Sequence, residues 1–164
     1  ARDKALEITK TEIFENLKST NDKFDVITLW HVLEHIHDLN EKIDELKSRL
    51  NNDGIIFIAV PNRESEDAKK YGSYWAGYDV PRHLWHFSQS NMKQLFNKHG
   101  LSLIKTEPMK LDSYYVSLLS ENYKHPNASS LISMPTALLS GFQSNYHASK
   151  TGSYSSLIYI AKYS

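Results

Sequence analysis

The stretch that decides the fold is Phe24-Asp25-Val26-Ile27-Thr28-Leu29-Trp30-His31-Val32-Leu33-Glu34-His35. From Val26 to Trp30 nearly every residue is β-branched or large and apolar. That is the pattern of a strand covered on both faces, and such strands belong mostly to parallel sheets. Polar side chains appear only where the strand should end. In open α/β sheets, ligands bind outside the carboxyl ends of the strands, so His31, Glu34 and His35 fall where a site is expected.

Moving toward the C-terminus, Asp38 with Glu41 three residues on makes a capping-box start for a helix. Leu39, Ile43, Leu46 and Leu50 share its inner face, and Lys42, Lys47 and Arg49 lie off that stripe. Asn51-Asn52-Asp53-Gly54 stops the helix, and Ile55 to Val60 follows as a wholly apolar second strand. The result is a βαβ unit with parallel neighbouring strands and a right-handed crossover. Residues 63–87 are irregular and dense in aromatic side chains, Gly and His. Ser88 caps another helix with Met92, Leu95 and Phe96 inward and Gly100 at its end. Leu101–Thr106 reads as a strand, Ser113–Leu119 as a helix, residues 127–153 as a loose or mobile insertion rich in Ser, Asn and Thr, and Ser156–Lys162 as a last strand. Upstream, residues 1–9 read as the end of a helix and Ile13-Phe14 as part of a short strand.

The chain has 164 residues, one domain's worth over 1–164, with 40% apolar content and zero formal net charge. Nothing in this balance favours nucleic acid or an anionic membrane. Without cysteine there is no disulfide framework or thiolate chemistry. No apolar run has the length of a membrane span, and no signal-peptide layout is present, so a soluble cytoplasmic protein is expected. The chain opens Ala1-Arg2-Asp3 with no Met, and the expectation is a piece of a longer protein.

FDVITLWHVLEHIHD, the capped helix and NNDGIIFIAVPN together resemble the second half of class I S-adenosylmethionine-dependent methyltransferases, in the branch related to ubiquinone-biosynthesis O-methyltransferases. Asp79-Val80-Pro81-Arg82-His83-Leu84-Trp85-His86-Phe87-Ser88 is similar to a "PRHLxHFS" signature of that branch. The resemblance implies an α/β Rossmann-like sheet in a three-layer α/β/α arrangement, with S-adenosylmethionine as cofactor and methyl transfer to oxygen or carbon of a small molecule. It also implies a departure. The family's Gly-rich cofactor loop has no counterpart, because the first glycine here is Gly54. The sheet is therefore expected to lack its first two strands, leaving the cofactor site incomplete and the fragment inactive alone. In the family order 3-2-1-4-5-7-6, that loss leaves Asp25–Leu29 as an open edge. Such an edge pairs with something, either a second copy of the chain or residues 10–16.

By the same resemblance Trp30 and His31 lie beside the methionine end of the cofactor, and Glu15 and Asn16 near its adenine. His86, assisted by His35, is the expected general base, its ordinary pKa suiting a neutral-pH proton transfer. Arg82 is expected to hold an anionic group, and Trp75, Tyr78 and Trp85 to wall a substrate pocket. Ordinary packing of these aromatic residues and local bonding of His83 and His86 to carbonyls is the plainer alternative. His31-x-x-Glu34-His35 also matches an inverted zinc-peptidase pattern, but that motif needs both histidines on one helix. Some related methyltransferases bind a divalent ion at a Glu-x-x-Glu-His cluster here. His31, Glu34 and His35 are then candidate ligands, with His83 or His86 completing the set; helix capping and local hydrogen bonds are favoured over it. Beside the enzyme stand two other readings: a non-catalytic remnant serving oligomerisation or binding, and a metal hydrolase.

Overall fold

The computed structural model describes residues 21–164. The helix expected over 1–9, the strand around residues 10–16, and Glu15 and Asn16 lie outside the described residues. Strand β1 (Phe24–Trp30) runs into a 3-10 turn at Leu33–His35. Helix α1 (Leu39–Ser48) then leads to β2 (Leu50–Pro61), and α2 (Glu66–Tyr71) to two short 3-10 turns. Helix α3 (Gln89–Lys98), β3 (Leu101–Pro108), α4 (Asp112–Lys124), α5 (Ser130–Thr151) and β4 (Ser156–Tyr163) complete the chain.

The caps anticipated from sequence form. Asp38 accepts from the Glu41 amide at 3.0 Å, and Ser88 accepts from the Asn91 amide at 3.2 Å. Each satisfies one of the amides that a helix start leaves open. The first turn after α1 is tighter than expected. Arg49 ends the helix and Leu50 already begins β2, so Asn51–Gly54 lie within the strand. The pairing register shifts between Phe24 and Val26 to absorb them.

The sheet order is β1-β2-β4-β3. β1 and β2 are parallel, with Ile27 opposite Ile56 and Leu29 opposite Ile58. β4 is antiparallel to both β2 and β3. This is the 4-5-7-6 half of the order implied by the resemblance. Ile27, Leu29, Ile56, Ile58, Val60, Leu157 and Tyr159 form one sheet face and join Ile43 and Leu46 of α1 and Met92 and Phe96 of α3 in a single core. Each fully buried large side chain there contributes about 1.5–3 kcal/mol. The expectation that β1 is covered on both faces fails among the described residues: Val26 is 55% and Trp30 50% exposed on the opposite face. Strand alternation puts them there, because α1 and α3 pack only on the Ile27–Leu29 side.

The loose insertion expected over residues 127–153 is instead mainly one regular 22-residue helix, capped by Ser129 and ended at Gly152 in the left-handed conformation (φ 76°). Its composition misleads because its amphipathicity is inverted. Ser133, Ala137, Ser140, Ser144 and Ala148 are buried, at helical spacing, while Leu131, Met134, Leu138 and Phe142 face outward. The small face packs on α4, whose Ser113, Ser117 and Ser120 are also buried. Some of the hydroxyls are satisfied within their own helices: Ser140 donates to the Thr136 carbonyl and Ser120 to the Val116 carbonyl, both at 2.7 Å. Leu138→Gln is accordingly expected to change stability by less than about 0.5 kcal/mol. Ala137→Leu, which overfills the small interface, should cost about 1–3 kcal/mol in urea denaturation.

Candidate functional site

A cleft of about 390 Å³ opens at the carboxyl ends of β1 and β2, where the sheet topology favours a ligand. His31 and Pro61 close those strands, and Ser156 opens β4 at the same end because that strand is antiparallel. The loop from Ala76 to His83 forms one wall and α4 the other, with Asp112, Tyr115, Leu119 and Tyr123.

His31 is the polar centre of this cleft. It follows the last strand residue with φ +52°, a left-handed conformation that costs a residue with a Cβ about 1–2 kcal/mol. Its ring spans two carboxylates: Nε2 lies 3.1 Å from Asp112 Oδ2, and Nδ1 lies 3.3 Å from Glu34 Oε1. Both ring nitrogens must carry protons to serve both acceptors. The hydrogen bond to Asp112, and then that to Glu34, raise the His31 pKa to about 9 against the opposing effect of burial. At Asp112, burial pushes upward, but the bond from His31 leaves the carboxyl below its ordinary value. At neutral pH His31 is thus a clamped cation, unfit to accept a proton.

Asp112→Asn should release this clamp. The His31 pKa, followed by NMR titration, is expected to fall from about 9 toward 6.5. A raised histidine pKa contributes stability that is complete below pH 6.5 and lost as pH rises through 9; the depressed Asp112 contributes only above its ordinary 3.8. The melting-temperature gap between wild type and variant should therefore be flat from about pH 4 to 6.5 and close by pH 9 to 10. A His31 pKa unmoved in the variant would contradict the clamp.

The other wall is locked to the turn after β1. The amides of Leu84 and Trp85 both donate to the Glu34 carbonyl, at 2.8 and 3.3 Å. Trp85 Nε1 donates to the Ile36 carbonyl at 2.7 Å. His35 Nδ1 donates to the Arg82 carbonyl at 3.0 Å and His83 Nδ1 to the Gly77 carbonyl at 2.9 Å. Arg82 lines the cleft and grips Asp79 Oδ1 at 2.8 Å.

Several expected site residues lie elsewhere. His86, the expected base, donates Nε2 to the Tyr78 carbonyl at 2.9 Å and, with Trp85, lines a separate depression beside α3. Trp75 is buried with Nε1 bonded to Asp67 at 2.8 Å, so it is part of the scaffold rather than a pocket wall. Tyr78 packs edge-on against the Trp75 and His86 rings. Trp30 is half exposed and does not line the cleft. The N–H groups that sequence offers to a substrate find partners inside the fold: His86 at the Tyr78 carbonyl, Trp75 at the Asp67 carboxylate and Trp85 at the Ile36 carbonyl. The zinc-peptidase pattern fails as well, because His31 precedes the 3-10 turn that holds His35. Asp112 and the α4 wall carry no signal in sequence; only the β4 return beside β2 brings them to His31.

The family model for the methyltransferase domain matches residues 3–106, more than half of the chain. The chain belongs to the methyltransferase domain family. This methyltransferase domain is similar in fold to mitomycin 7-O-methyltransferase, at 12% identity and a TM-score of 0.57, over 99% of this chain and 39% of that one. It is also similar to magnesium protoporphyrin IX methyltransferase from Synechocystis PCC 6803, at 14% identity and 0.53, over 100% and 58%. A cyclopropane synthase from Mycobacterium tuberculosis matches at 12% identity and 0.55, over 97% and 64%. The domain thus spans between 39% and 64% of the lengths of these proteins. No curated protein sequence matches it. No helix among the described residues is long and apolar enough to cross a membrane.

Proposed function

We propose that this chain is part of an S-adenosylmethionine-dependent methyltransferase acting on oxygen or carbon of a small molecule. The observation that carries the reading is the coincidence of the family match with a cleft at the carboxyl ends of β1 and β2. S-adenosylmethionine supplies an electrophilic methyl group, and catalysis then rests largely on holding the acceptor in line with it. The chain's own residues divide that task. The aromatic and aliphatic side chains of α4 supply the apolar wall, and Arg82 offers a cation to an anionic acceptor group. His31, clamped between Asp112 and Glu34, remains the proposed neighbour of the methionine end of the cofactor. Trp30, exposed on the sheet face, remains available to the cofactor, and Glu15 and Asn16 remain the proposed adenine contacts. Proton removal does not fall to His31 or to His86; His83 lines the cleft and carries its proton on Nδ1.

β1 pairs only with β2 among the described residues, which supports self-association through its free edge, tested by size exclusion. The activity reading is tested by calorimetric titration of S-adenosylhomocysteine into the full-length protein and into this chain. Binding by the former and at least tenfold weaker binding by the latter is expected; no binding by the full-length protein would overturn it.

A further inference from the structure

The turn after β1 and the loop that closes on it bring Glu34, His35 and His83 together. One donor atom from each lies within 4.8 Å of the others. His83 Nε2 is 4.0 Å from Glu34 Oε1, and the two imidazole rings meet edge to face with centroids 4.7 Å apart. Three independent features prepare this cluster for a cation.

The first is the tautomers. His35 and His83 each direct Nδ1 at a backbone carbonyl, and only an N–H can bond a carbonyl. In the neutral ring that leaves Nε2 as a bare lone pair on both. A ligating histidine commonly donates its second nitrogen in this way, which fixes both tautomer and ring orientation. The second is Glu34. Its side chain is fully buried, and Oε2 has no hydrogen-bond partner. A buried carboxylate oxygen without a donor is costly, and a bound cation would remove that cost. The third is rigidity. The paired Leu84 and Trp85 amide bonds to the Glu34 carbonyl hold the loop's His83 over the turn's Glu34, residues 49 positions apart in the chain.

We infer that Glu34, His35 and His83 form a binding site for a transition-metal dication such as Zn²⁺. Two imidazoles and one carboxylate are the donor set of many catalytic zinc sites, which keep a further position open. Of the candidates weighed from sequence, the fold retains Glu34, His35 and His83. His31 is excluded, since both of its nitrogens are committed to carboxylates, and His86 turns its Nε2 to the Tyr78 carbonyl. The nitrogen-rich donors select against Mg²⁺, which prefers oxygen. Donors about 2.0–2.2 Å from an ion sit roughly 3.4 Å apart in a tetrahedron, so binding would contract the cluster by about 1 Å. His35 is exposed and provides the entry, while His83 lines the cleft. The open position would hold an acceptor oxygen at the cleft, a role that alone rests on the methyl-transfer reading.

The test is calorimetric titration of ZnCl₂ into chelator-treated protein, with imidazole ¹⁵N NMR on the same samples. One equivalent is expected to bind, shifting Nε2 of His35 and His83 and of no other histidine. His35→Gln and His83→Gln should each weaken binding at least tenfold, and His125→Gln, an exposed control, should leave it unchanged. MgCl₂ should produce no shift. Absence of saturable zinc binding by the wild type, or zinc shifts confined to other histidines, would overturn the site without relying on any variant's folding. Neither result bears on the S-adenosylhomocysteine titration, so this inference and the methyl-transfer reading fail separately.

Discussion

Replacing Asp67 by Ala is expected to destabilise the fold by about 3–5 kcal/mol. Asp67 is 1% exposed. Its carboxylate collects three donors from three parts of the chain: Ser144 of α5 on Oδ1 at 2.7 Å, and Trp75 Nε1 and Ser155 on Oδ2 at 2.8 and 2.7 Å. Hydrogen bonds to a charged acceptor contribute about 1.5–3 kcal/mol each, and stranding a buried donor costs about 1–3. The three share one acceptor and do not add fully, hence the range. Asp67→Asn, which keeps the shape but offers one oxygen instead of two, should lose a smaller part. The consequence reaches the cleft, because Trp75 leads into Ala76, whose amide donates to Ser120 of α4 at 2.8 Å. Urea denaturation with linear extrapolation measures the loss. A change below about 1 kcal/mol for Asp67→Ala would show that the network is not a structural hub.

Gly141→Val should be the second large effect, about 2–3 kcal/mol. A Cβ at Gly141 would stand 2.6 Å from the Tyr114 ring and 2.9 Å from the Tyr114 Cα. The ring could swing aside, but the backbone contact remains, so α4 and α5 must separate. Ser113, which donates to the Gly141 carbonyl at 3.2 Å, would lose that bond. Separation also moves the cleft wall made by Tyr115, Leu119 and Tyr123 of α4. The variant should therefore pair lower stability with weaker binding of any acceptor, whereas Leu138→Gln on the outer face of α5 should change neither. Chemical denaturation of both variants checks the contrast, and equal losses would refute the close-approach account.

The βαβ unit was readable because its signals are local. The apolar run of β1, the Asp38 cap, the Ile43–Leu46 stripe and the apolar β2 all depend on residues within a few positions of one another. The Ser88 cap and the Gly100 stop, at φ +65°, are of the same kind. Helix α5 was misread because local amphipathicity assumes that large apolar side chains point inward, and here a serine face does. The partners of His86 and Trp75 were not legible, because a histidine or indole N–H in a loop has no visible acceptor in sequence, while in the fold Tyr78 and Asp67 supply one.

By itself, the sequence determined the order of the four strands and of the helices between them apart from α5, the parallel β1–β2 pair, the polar turn at the end of β1 and, through its motifs, the methyltransferase family. These follow from periodicity, capping and chain connectivity, which act over short separations. Only the tertiary structure decided which polar groups meet. It joined His31 to Asp112 across 81 positions, set His83 against Glu34, and turned His86 away from the cleft. Those pairings depend on the antiparallel return of β4, the docking of α4 and the backbone bonds that close the 76–87 loop. A site made of long-range contacts has no periodic signature, because each partner is chosen by space rather than by spacing.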